Sequence, residues 1–182
     1  MITEQGIKGV FLITPNWQQD MRGGFAELWR AETVTQVTGY DWKPVQENES
    51  VSRFGVLRGL HYQQAPFAQA KLIRVLAGRI LDVAVDLRPD SATYGQHIAF
   101  ELSAENAAQL FIPQGFAHGF VVLSETARVN YKVDAPYAPS AECGLRFNDP
   151  RLAIDWRLAP SQLILTERDR AWPLWTECDD GC

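Results

Sequence analysis

The sequence has few histidines. It contains three histidines, His61, His97 and His118, and none of them belongs to a His-x-His pair. A metal site built on imidazole needs several such ligands to converge with a carboxylate. His97 follows Tyr94-Gly-Gln in a predicted strand and is interpreted as a surface residue. We therefore expect a protein that uses no metal and no other cofactor.

Three further absences narrow the possible partners. Basic residues are in deficit, with 17 Lys and Arg against 22 Asp and Glu, which argues against a broad nucleic-acid surface. The apolar segment Val10–Ile13 is too short for a signal sequence or a membrane span. Cys143, Cys178 and Cys182 include no CxxC pair and are interpreted as reduced and incidental. We expect a cytoplasmic protein that binds a small molecule and neither nucleic acid nor membrane.

The length and composition are those of one globular domain. Hydrophobic residues make up 46% of the chain and charged residues 21%, as in ordinary soluble proteins. No repeat and no linker rich in Pro, Gly or Ser divides the sequence. A chain of 182 residues is long enough to bury one substantial core. The prediction is a single domain over residues 1–182.

The middle of the chain consists of short β-rich segments separated by turns. Ala77-Gly78-Arg79 indicates a compact hairpin, and residues 88–95 indicate a longer loop. Many short strands at this spacing are typical of a β sandwich or barrel. Helix is predicted for Phe25–Ala31 and for a short segment after Thr166. The predicted strands are Phe54–Tyr62, Lys71–Ala77, Arg79–Leu87, Gln96–Leu102, Gln109–Ile112, Phe116–Leu123 and Ala127–Val133.

Two polar side chains interrupt the apolar segment Val56–Gln63 and mark a candidate site. Arg58 and His61 are three positions apart, so a regular strand would direct them to opposite faces. Gly59 can relax the backbone and permit a bulge that turns both side chains towards one pocket. On these residues alone, ordinary polar side chains at the rim of a sheet remain the alternative.

The segment Leu81–Leu87 alternates between apolar and polar positions. Ala84 lies between Asp82 and Asp86 on the polar face, and its small side chain indicates a face with room around it. Both carboxylates are compatible with a solvated outer face. That is the prediction for Asp86, which stands beside Arg88.

Seven segments, taken in order and spacing, identify a family. They are Val56–Gln63, Lys71–Val75, Asp82–Asp86, Ile112–Phe120, Tyr131-Lys132, Tyr137–Pro139 and Asn148–Pro150. Together they resemble the dTDP-4-dehydrorhamnose 3,5-epimerase family of nucleotide-sugar enzymes, and the resemblance extends over residues 9–175. It implies a mainly β fold, with a cupin-type jelly-roll barrel over about 51–135. An N-terminal strand extension over 1–50 and a C-terminal segment over 136–182 with a short helix complete the implied domain.

The resemblance also implies a chemistry. The family removes protons next to a ketone, at C5 and C3 of a 4-keto-6-deoxy sugar, and returns them on the opposite face. Such a reaction needs a base, a group that stabilises the enolate oxygen, and an acid. By resemblance, His61 is the base and Asp169 fixes its tautomer. Lys71 stabilises the enolate and Tyr131 is the acid.

Each of these assignments has a plain structural alternative. Asp169 completes Thr166-Glu-Arg-Asp, a pattern typical of a helix cap. Lys71 begins a strand and is compatible with a lysine that deters edge pairing. Tyr131 is compatible with a core or interface residue. Because it alternates with Asn130 and Lys132, its ring is predicted to face inward.

A substrate-binding set follows from the same resemblance. Asp82 is implied to face the pocket and to orient a histidine, and His118 lies in the glycine-bounded turn Gly115–Gly119. Arginines suit a pyrophosphate because a guanidinium binds it in bidentate fashion. The full set is Arg22, Phe25, Glu27, Gln46, Asn48, Arg58, Asp82, His118 and Tyr137.

We expect a homodimer that exchanges its N-terminal segment. In the family, the segment that contains Arg22 reaches across from the neighbouring subunit. The apolar strand residues before Val51 also lack an obvious partner in the predicted barrel. On the residues alone, a glycine turn carrying a solvated Arg22 is the alternative.

The predicted function is inversion of C3 and C5 of dTDP-4-dehydro-6-deoxy-D-glucose, which yields dTDP-4-dehydro-L-rhamnose for surface polysaccharide. Pro136 stands where the family commonly has an aromatic residue that stacks on the base, so another nucleotide stays open. Further alternatives are inversion of C3 or C5 alone and action on another nucleotide-linked 4-keto sugar. A non-catalytic sugar-nucleotide-binding cupin and a metal-dependent cupin oxygenase are the alternatives from other classes.

Overall fold

The computed structural model describes residues 1–175, and most of its regular structure is β strand. The strands are β1 (Ile2–Glu4), β2 (Phe11–Ile13), β3 (Gln18–Asp20), β4 (Gly23–Phe25), β5 (Gln46–Arg53), β6 (Leu57–Gln63), β7 (Lys71–Ala77), β8 (Arg79–Asp86), β9 (His97–Ser103), β10 (Gln109–Ile112), β11 (Phe116–Val122), β12 (Thr126–Val133) and β13 (Glu142–Gly144). The helices are α1 (Ala31–Thr38) and α2 (Glu167–Ala171).

Two antiparallel sheets form the barrel. The larger sheet has the strand order β1-β2-β10-β7-β12-β5, the smaller has the order β13-β6-β11-β8-β9, and β3 pairs with β4 separately. Both sheets contribute to one apolar cluster, with Ile73 and Val129 from the larger sheet and Ile80 and Phe120 from the smaller. This is the mainly β, cupin-type jelly-roll fold that the sequence predicts.

The outer face of the smaller sheet is covered by the C-terminal segment. Leu81, Val83 and Val85 of β8 pack there against Leu145 and Trp156, whereas Ala84 lies in the cluster between the sheets. The predicted alternation of β8 is therefore confirmed. Both of its faces are buried, because one faces the barrel and the other is covered by chain that follows the barrel.

Local patterning located most strands. Two predicted strands, Lys71–Ala77 and Gln109–Ile112, have the observed bounds, and the other five differ from the observed strands by a few residues at their ends. Strand β13 lies outside the predicted segments, and so does β5, which begins at Gln46. Its polar sequence hides it because Gln46, Asn48 and Ser50 line a polar cavity, while the alternate residues are exposed.

The predicted helix Phe25–Ala31 is wrong. Phe25 ends strand β4, and α1 begins at Ala31 and ends at Thr38. This helix contains β-branched residues, which have weak helix propensity, and its N-cap, Arg30, makes no capping bond through its side chain. Burial of Val34 and the left-handed Gly39 define the helix instead. The second helix, after Thr166, forms where it is predicted.

The N-terminal strands have partners within the same chain. β2 pairs with β10 of the larger sheet, and β1 pairs with β2. The sheets therefore extend outside residues 51–135, and the expectation that the N-terminal apolar strand material lacks a partner in the barrel is wrong. What projects is the hairpin β3–β4, whose strand residues are all exposed.

The prediction for Asp86 is also wrong, since this residue is fully buried rather than solvated. Its carboxylate accepts bonds from Nε of Arg88 at 2.8 Å, from Oγ of Ser91 at 2.6 Å and from Oγ1 of Thr93 at 2.7 Å. Burial opposes ionisation of this group, but the hydrogen bonds from these three residues lower its pKa to about 2. The loop after β8 is thus folded over the carboxylate, which is what removes it from water.

The remaining expectations about single residues have varied outcomes. His97 begins the edge strand β9 and is partly exposed, as predicted. Cys143 is buried in β13, whereas Cys178 and Cys182 lie outside the described residues. Among residues 1–175, no helix has the length and apolar character that crossing a bilayer requires.

Candidate active site

A cavity of about 390 Å³ opens between the two sheets, within the size range of small-molecule sites. Its walls come from the larger sheet, the smaller sheet and the C-terminal segment. The predicted site residues that line it are Gln46, Asn48, Arg58, His61, Lys71, His118, Tyr131, Tyr137 and Asp169. Within residues 1–175, no three His, Cys, Asp or Glu side chains converge as a metal site would need.

The bulge predicted at Gly59 is present and brings Arg58 and His61 to the same cavity. His61 pairs with His118 and Arg58 pairs with Phe120, with a register shift between the two pairs. Gly59 has φ +116°, and a Cβ at this position would lie 2.6 Å from the carbonyl oxygen of His118. Glycine is therefore required by the sterics of the site.

His61 and Asp169 form a hydrogen-bonded pair although 108 residues separate them in the chain. Nε2 of His61 lies 2.6 Å from Oδ1 of Asp169, and the carboxylate is almost fully buried. Burial opposes ionisation of Asp169, but the hydrogen bond and charge of His61, with a further bond from Thr166, hold its pKa below the usual value. The pair has the arrangement of a base with a carboxylate that orients it.

Asp169 takes part in both a helix cap and the pair with His61. Its backbone N–H donates to Oγ1 of Thr166 at 3.1 Å, so Thr166 is the N-cap of α2. The carboxylate of the same residue bonds to His61. The cap therefore fixes the residue that positions the histidine.

Tyr131 enters the cavity from the larger sheet. It lies directly opposite Asn48 in the β12–β5 pair, and Val133 lies opposite both Gln46 and Lys71. Residues at alternate positions share a face, so these polar side chains project from the larger sheet into the cavity. Burial raises the pKa of Tyr131, the nearby charge of Arg58 opposes this, and Glu142 adds to it. The phenol therefore stays protonated at neutral pH.

Lys71 is buried beside Tyr131 on the same sheet. Only 8% of the surface of Lys71 is exposed to solvent. Burial lowers its pKa to about 8, while the negative charges of Asp82 and Glu142 partly oppose that shift. At neutral pH the ammonium remains charged, in a low-dielectric environment where its field acts strongly on a developing anion.

His118 is held by a second carboxylate behind the cavity wall. Its Nε2 lies 2.8 Å from Oδ1 of Asp82, which is fully buried. Asp82 therefore faces inward and orients a histidine, as the resemblance implies. His118 itself belongs to strand β11 rather than to a turn, because Gly115 makes the turn before the strand.

Glu142 and Arg168 line the cavity and were missed by sequence reasoning. Oε2 of Glu142 accepts a bond from the hydroxyl of Tyr137 at 2.7 Å and from Nη1 of Arg168 at 2.8 Å. Arg168 precedes Asp169 and so had a sequence signal, since neighbouring polar residues of a short helix often share a site. Glu142 had none, because its position depends on the pairing of β13 with β6.

Arg22, Phe25 and Glu27 are not among the described residues that line this cavity. Arg22 is exposed and pairs with Asp20 within the hairpin. Phe25 is 75% exposed, and Glu27 pairs with Arg30 and lines a separate cavity. Within one chain, these three residues therefore lie away from the cavity.

Known proteins similar to this chain agree on one family. The family model described as dTDP-4-dehydrorhamnose 3,5-epimerase matches residues 4–177. The dTDP-4-dehydrorhamnose 3,5-epimerase of Pseudomonas aeruginosa is 46% identical over 177 residues, covering 97% of each chain.

Solved structures extend this similarity to three dimensions. The dTDP-4-dehydrorhamnose 3,5-epimerase of Elizabethkingia anophelis has a TM-score of 0.96 and 45% identity, covering 97% of each chain. A dTDP-6-deoxy-D-glucose-3,5-epimerase of Legionella pneumophila, solved with dTDP-4-keto-L-rhamnose, has a TM-score of 0.92 and 44% identity. That similarity covers 98% of this chain and 94% of the other. The chain therefore belongs to the dTDP-4-dehydrorhamnose 3,5-epimerase family.

Proposed function

We propose that this protein is an isomerase that inverts C3 and C5 of dTDP-4-dehydro-6-deoxy-D-glucose and releases dTDP-4-dehydro-L-rhamnose. One observation carries the proposal: a histidine paired with a carboxylate and a partly buried tyrosine line one cavity from opposite sheets. A sugar ring held between the sheets would meet a base on one side and an acid on the other, as inversion requires.

In the proposed mechanism, His61 removes the proton next to the C4 ketone. Asp169 accepts the N–H of the imidazole and stabilises the imidazolium that forms. Lys71 lies in the cavity as a buried cation and stabilises the negative oxygen of the enolate. Tyr131, whose raised pKa keeps its proton in place, then donates that proton to the opposite face.

Arg58 is proposed to bind the pyrophosphate, because it is a cation in the cavity wall. Its Nε donates to Oγ of Ser52 at 3.1 Å, and its terminal nitrogens are proposed to bind the phosphate oxygens. Gln46, Asn48, His118 and Tyr137 supply further polar contacts from the walls. Asp82 acts indirectly, by holding His118.

The proposed active form is a homodimer in which each N-terminal hairpin completes the partner's pocket. The exposed hairpin supports this proposal. Met21 is fully exposed and Phe25 is 75% exposed, and neighbouring exposed apolar side chains often mark a surface that binds another protein. Arg22 and Glu27 would then reach the nucleotide of the other subunit. The proposed compartment is the cytoplasm.

For the base of the nucleotide, thymine is proposed and a different base is the alternative. Pro136 offers no aromatic ring for stacking, and Tyr137 is half exposed with its hydroxyl bonded to Glu142. Tyr137 and the partner's hairpin are the aromatic surfaces proposed for thymine. A sugar linked to another base is the second candidate.

Incubation of dTDP-4-dehydro-6-deoxy-D-glucose with the protein in deuterated water tests the function. Deuterium at both C3 and C5, together with the L-rhamno product, is the expected result. Exchange at one carbon would identify a mono-epimerase. A protein that binds dTDP without exchanging either proton would be a binding module, and the proposed function would be overturned.

A further inference from the structure

The helix that supplies Asp169 is too short to hold its own position. α2 has five residues, and isolated helices below about 12 residues are marginal in water. Thr166 caps its first turn, but the cap does not orient the helix relative to the barrel. The contacts that follow α2 must therefore determine where the carboxylate lies.

Trp172, the residue directly after α2, packs against the strand next to His61. Gly144 of β13 lies opposite His61 in the β13–β6 pair. A Cβ at Gly144 would overlap the indole ring of Trp172. The missing side chain of Gly144 thus leaves a space beside the imidazole, and the indole fills it.

The same indole packs against the imidazole of His61 and lies near the carboxylate of Asp169. Its ring centre lies 6.1 Å from that of His61 in an edge-to-face arrangement at 68°, a favourable geometry for aromatic rings. Its buried N–H makes no hydrogen bond of ordinary geometry with the described residues. It nevertheless lies near enough to Asp169 to contribute to lowering the pKa of that carboxyl.

The backbone around Trp172 is anchored independently of its ring. Its carbonyl oxygen accepts a bond from Nε of Arg146 at 2.8 Å, and the carbonyl of Pro173 accepts one from the backbone of Arg146 at 2.9 Å. Trp175 is buried, and its N–H donates to Asp149. Replacing the indole therefore leaves the course of the chain in place.

We propose that Trp172 is a positioning residue for proton abstraction, whose indole holds the imidazole of His61 and the carboxylate of Asp169 in one geometry. This inference rests on the proposed function, because only abstraction of a sugar proton makes that geometry limit a rate. A displacement of about 1 Å in a reacting group lowers the rate roughly 100-fold. Trp172 does not line the cavity among the described residues, so substrate affinity should not depend on it.

Three variants test the proposal in deuterium-exchange assays. Trp172→Ala should lower kcat roughly 10- to 100-fold with KM unchanged, and Trp172→Phe should recover most of the rate because a ring remains beside Gly144. The matched control is Trp156→Phe. Trp156 is a buried tryptophan of the same segment that donates to the carbonyl of Phe147, and its replacement should lower the Tm without changing kcat.

A readout independent of activity is the downfield proton signal of the imidazole N–H that bonds to Asp169, assigned by its loss in His61→Ala. It should broaden in Trp172→Ala and persist in Trp172→Phe and Trp156→Phe. Gly144→Ala, which pushes the indole aside, should lower kcat and broaden the signal even if Trp172→Ala does not fold. Wild-type kcat and signal in Gly144→Ala and in folded Trp172→Ala would overturn the inference. Absence of exchange in the wild type would instead overturn the function.

Discussion

At the scale of single residues, His61 and Tyr131 have separable tasks. His61 comes from β6 of the smaller sheet and Tyr131 from β12 of the larger sheet, so removing one leaves the other in place. A base can exchange a sugar proton with solvent without help from the acid, whereas inversion needs both. The two residues should therefore give different phenotypes.

Tyr131→Phe should still incorporate deuterium into the substrate but form little inverted product. His61→Ala should lose both activities by roughly 10²–10⁴-fold, the usual contribution of one positioned base. Nucleotide binding should be retained in both variants. The measurement is mass and NMR analysis of substrate and product from deuterated water. Equal loss of exchange and inversion in Tyr131→Phe would assign that ring to packing or binding.

The lowered pKa of Lys71 predicts the pH above which activity falls. Because burial lowers its pKa to about 8, its ammonium loses its proton as the pH rises through that value. Stabilisation of the enolate should disappear with the charge, so kcat should fall above about pH 8. A pH profile of kcat checks this, and activity that stays level to pH 10 would contradict it.

The same burial makes Lys71 a source of instability at neutral pH. The folded pKa lies below the unfolded value of 10.5, so the unfolded chain binds the proton more tightly and is favoured at low pH. Lys71→Met should therefore abolish activity yet raise the Tm at pH 7, and this gain should shrink between about pH 8 and 10.5. Lys132→Met is the matched control, because Lys132 pairs with exposed Glu47 on the other face of the sheet; it should retain activity.

At the scale of elements, Asp86 joins the end of β8 to the loop 88–95. The carboxylate is fully buried, and the side chain of Arg88 keeps 29% of its surface in water. The guanidinium of Arg88 also lies 4.6 Å from the ring centre of Phe116. One carboxylate thereby connects a strand, its loop and the neighbouring strand β11.

Asp86→Asn should lower the free energy of unfolding by about 3 kcal/mol, the lower end for a broken buried ion pair, because Arg88 keeps access to water. The folded pKa is about 2 and the unfolded one 3.8, so the charge stabilises the fold above pH 4 and this contribution is lost as pH falls towards 2. Denaturant titrations at several pH values measure both effects. Exposed Asp90 in the same loop offers the control Asp90→Asn, for which no change is expected.

At the scale of the whole molecule, one chain forms the cavity, and its β3–β4 hairpin lies outside that cavity. Arg22, Phe25 and Glu27 lie on or beside the β3–β4 hairpin and away from the cavity. A symmetric dimer would place each hairpin against the other subunit. Activity should then depend on association.

Mixing Arg22→Ala with His61→Ala should restore activity after the subunits exchange. Half of the dimers formed at random are mixed, and each contains one intact pocket, so about a quarter of wild-type activity is expected. Arg22→Ala mixed with the double variant should restore none. If subunits demonstrably exchange and no activity returns, or if the protein is monomeric at working concentration, the shared site is wrong.

Local patterning in the sequence was sufficient to locate seven strands of the two sheets and to predict the bulge at Gly59. Alternation along β8 and the β-rich segment of β7 depend on neighbours in the chain, and both sheets follow them. The polar residues of the candidate site, such as His61, could be predicted because each motif of the family is a short continuous segment of the sequence. Strand β5 was not predicted because the side chains on its inward face are polar. Local patterns predict that such side chains face solvent.

Burial and long-range pairing were decided by the tertiary structure. The sequence predicts a solvated Asp86 beside Arg88, yet the loop that follows β8 folds back and encloses the carboxylate. Asp169 meets His61 across 108 residues only because the C-terminal segment covers the smaller sheet and ends beside it. Alternation along a strand predicts the face of the sheet to which a side chain points. Whether that face is buried depends on segments that are distant in the sequence. For that reason only the folded molecule shows that Asp169 donates its backbone N–H to the cap of α2 while its carboxylate bonds to His61.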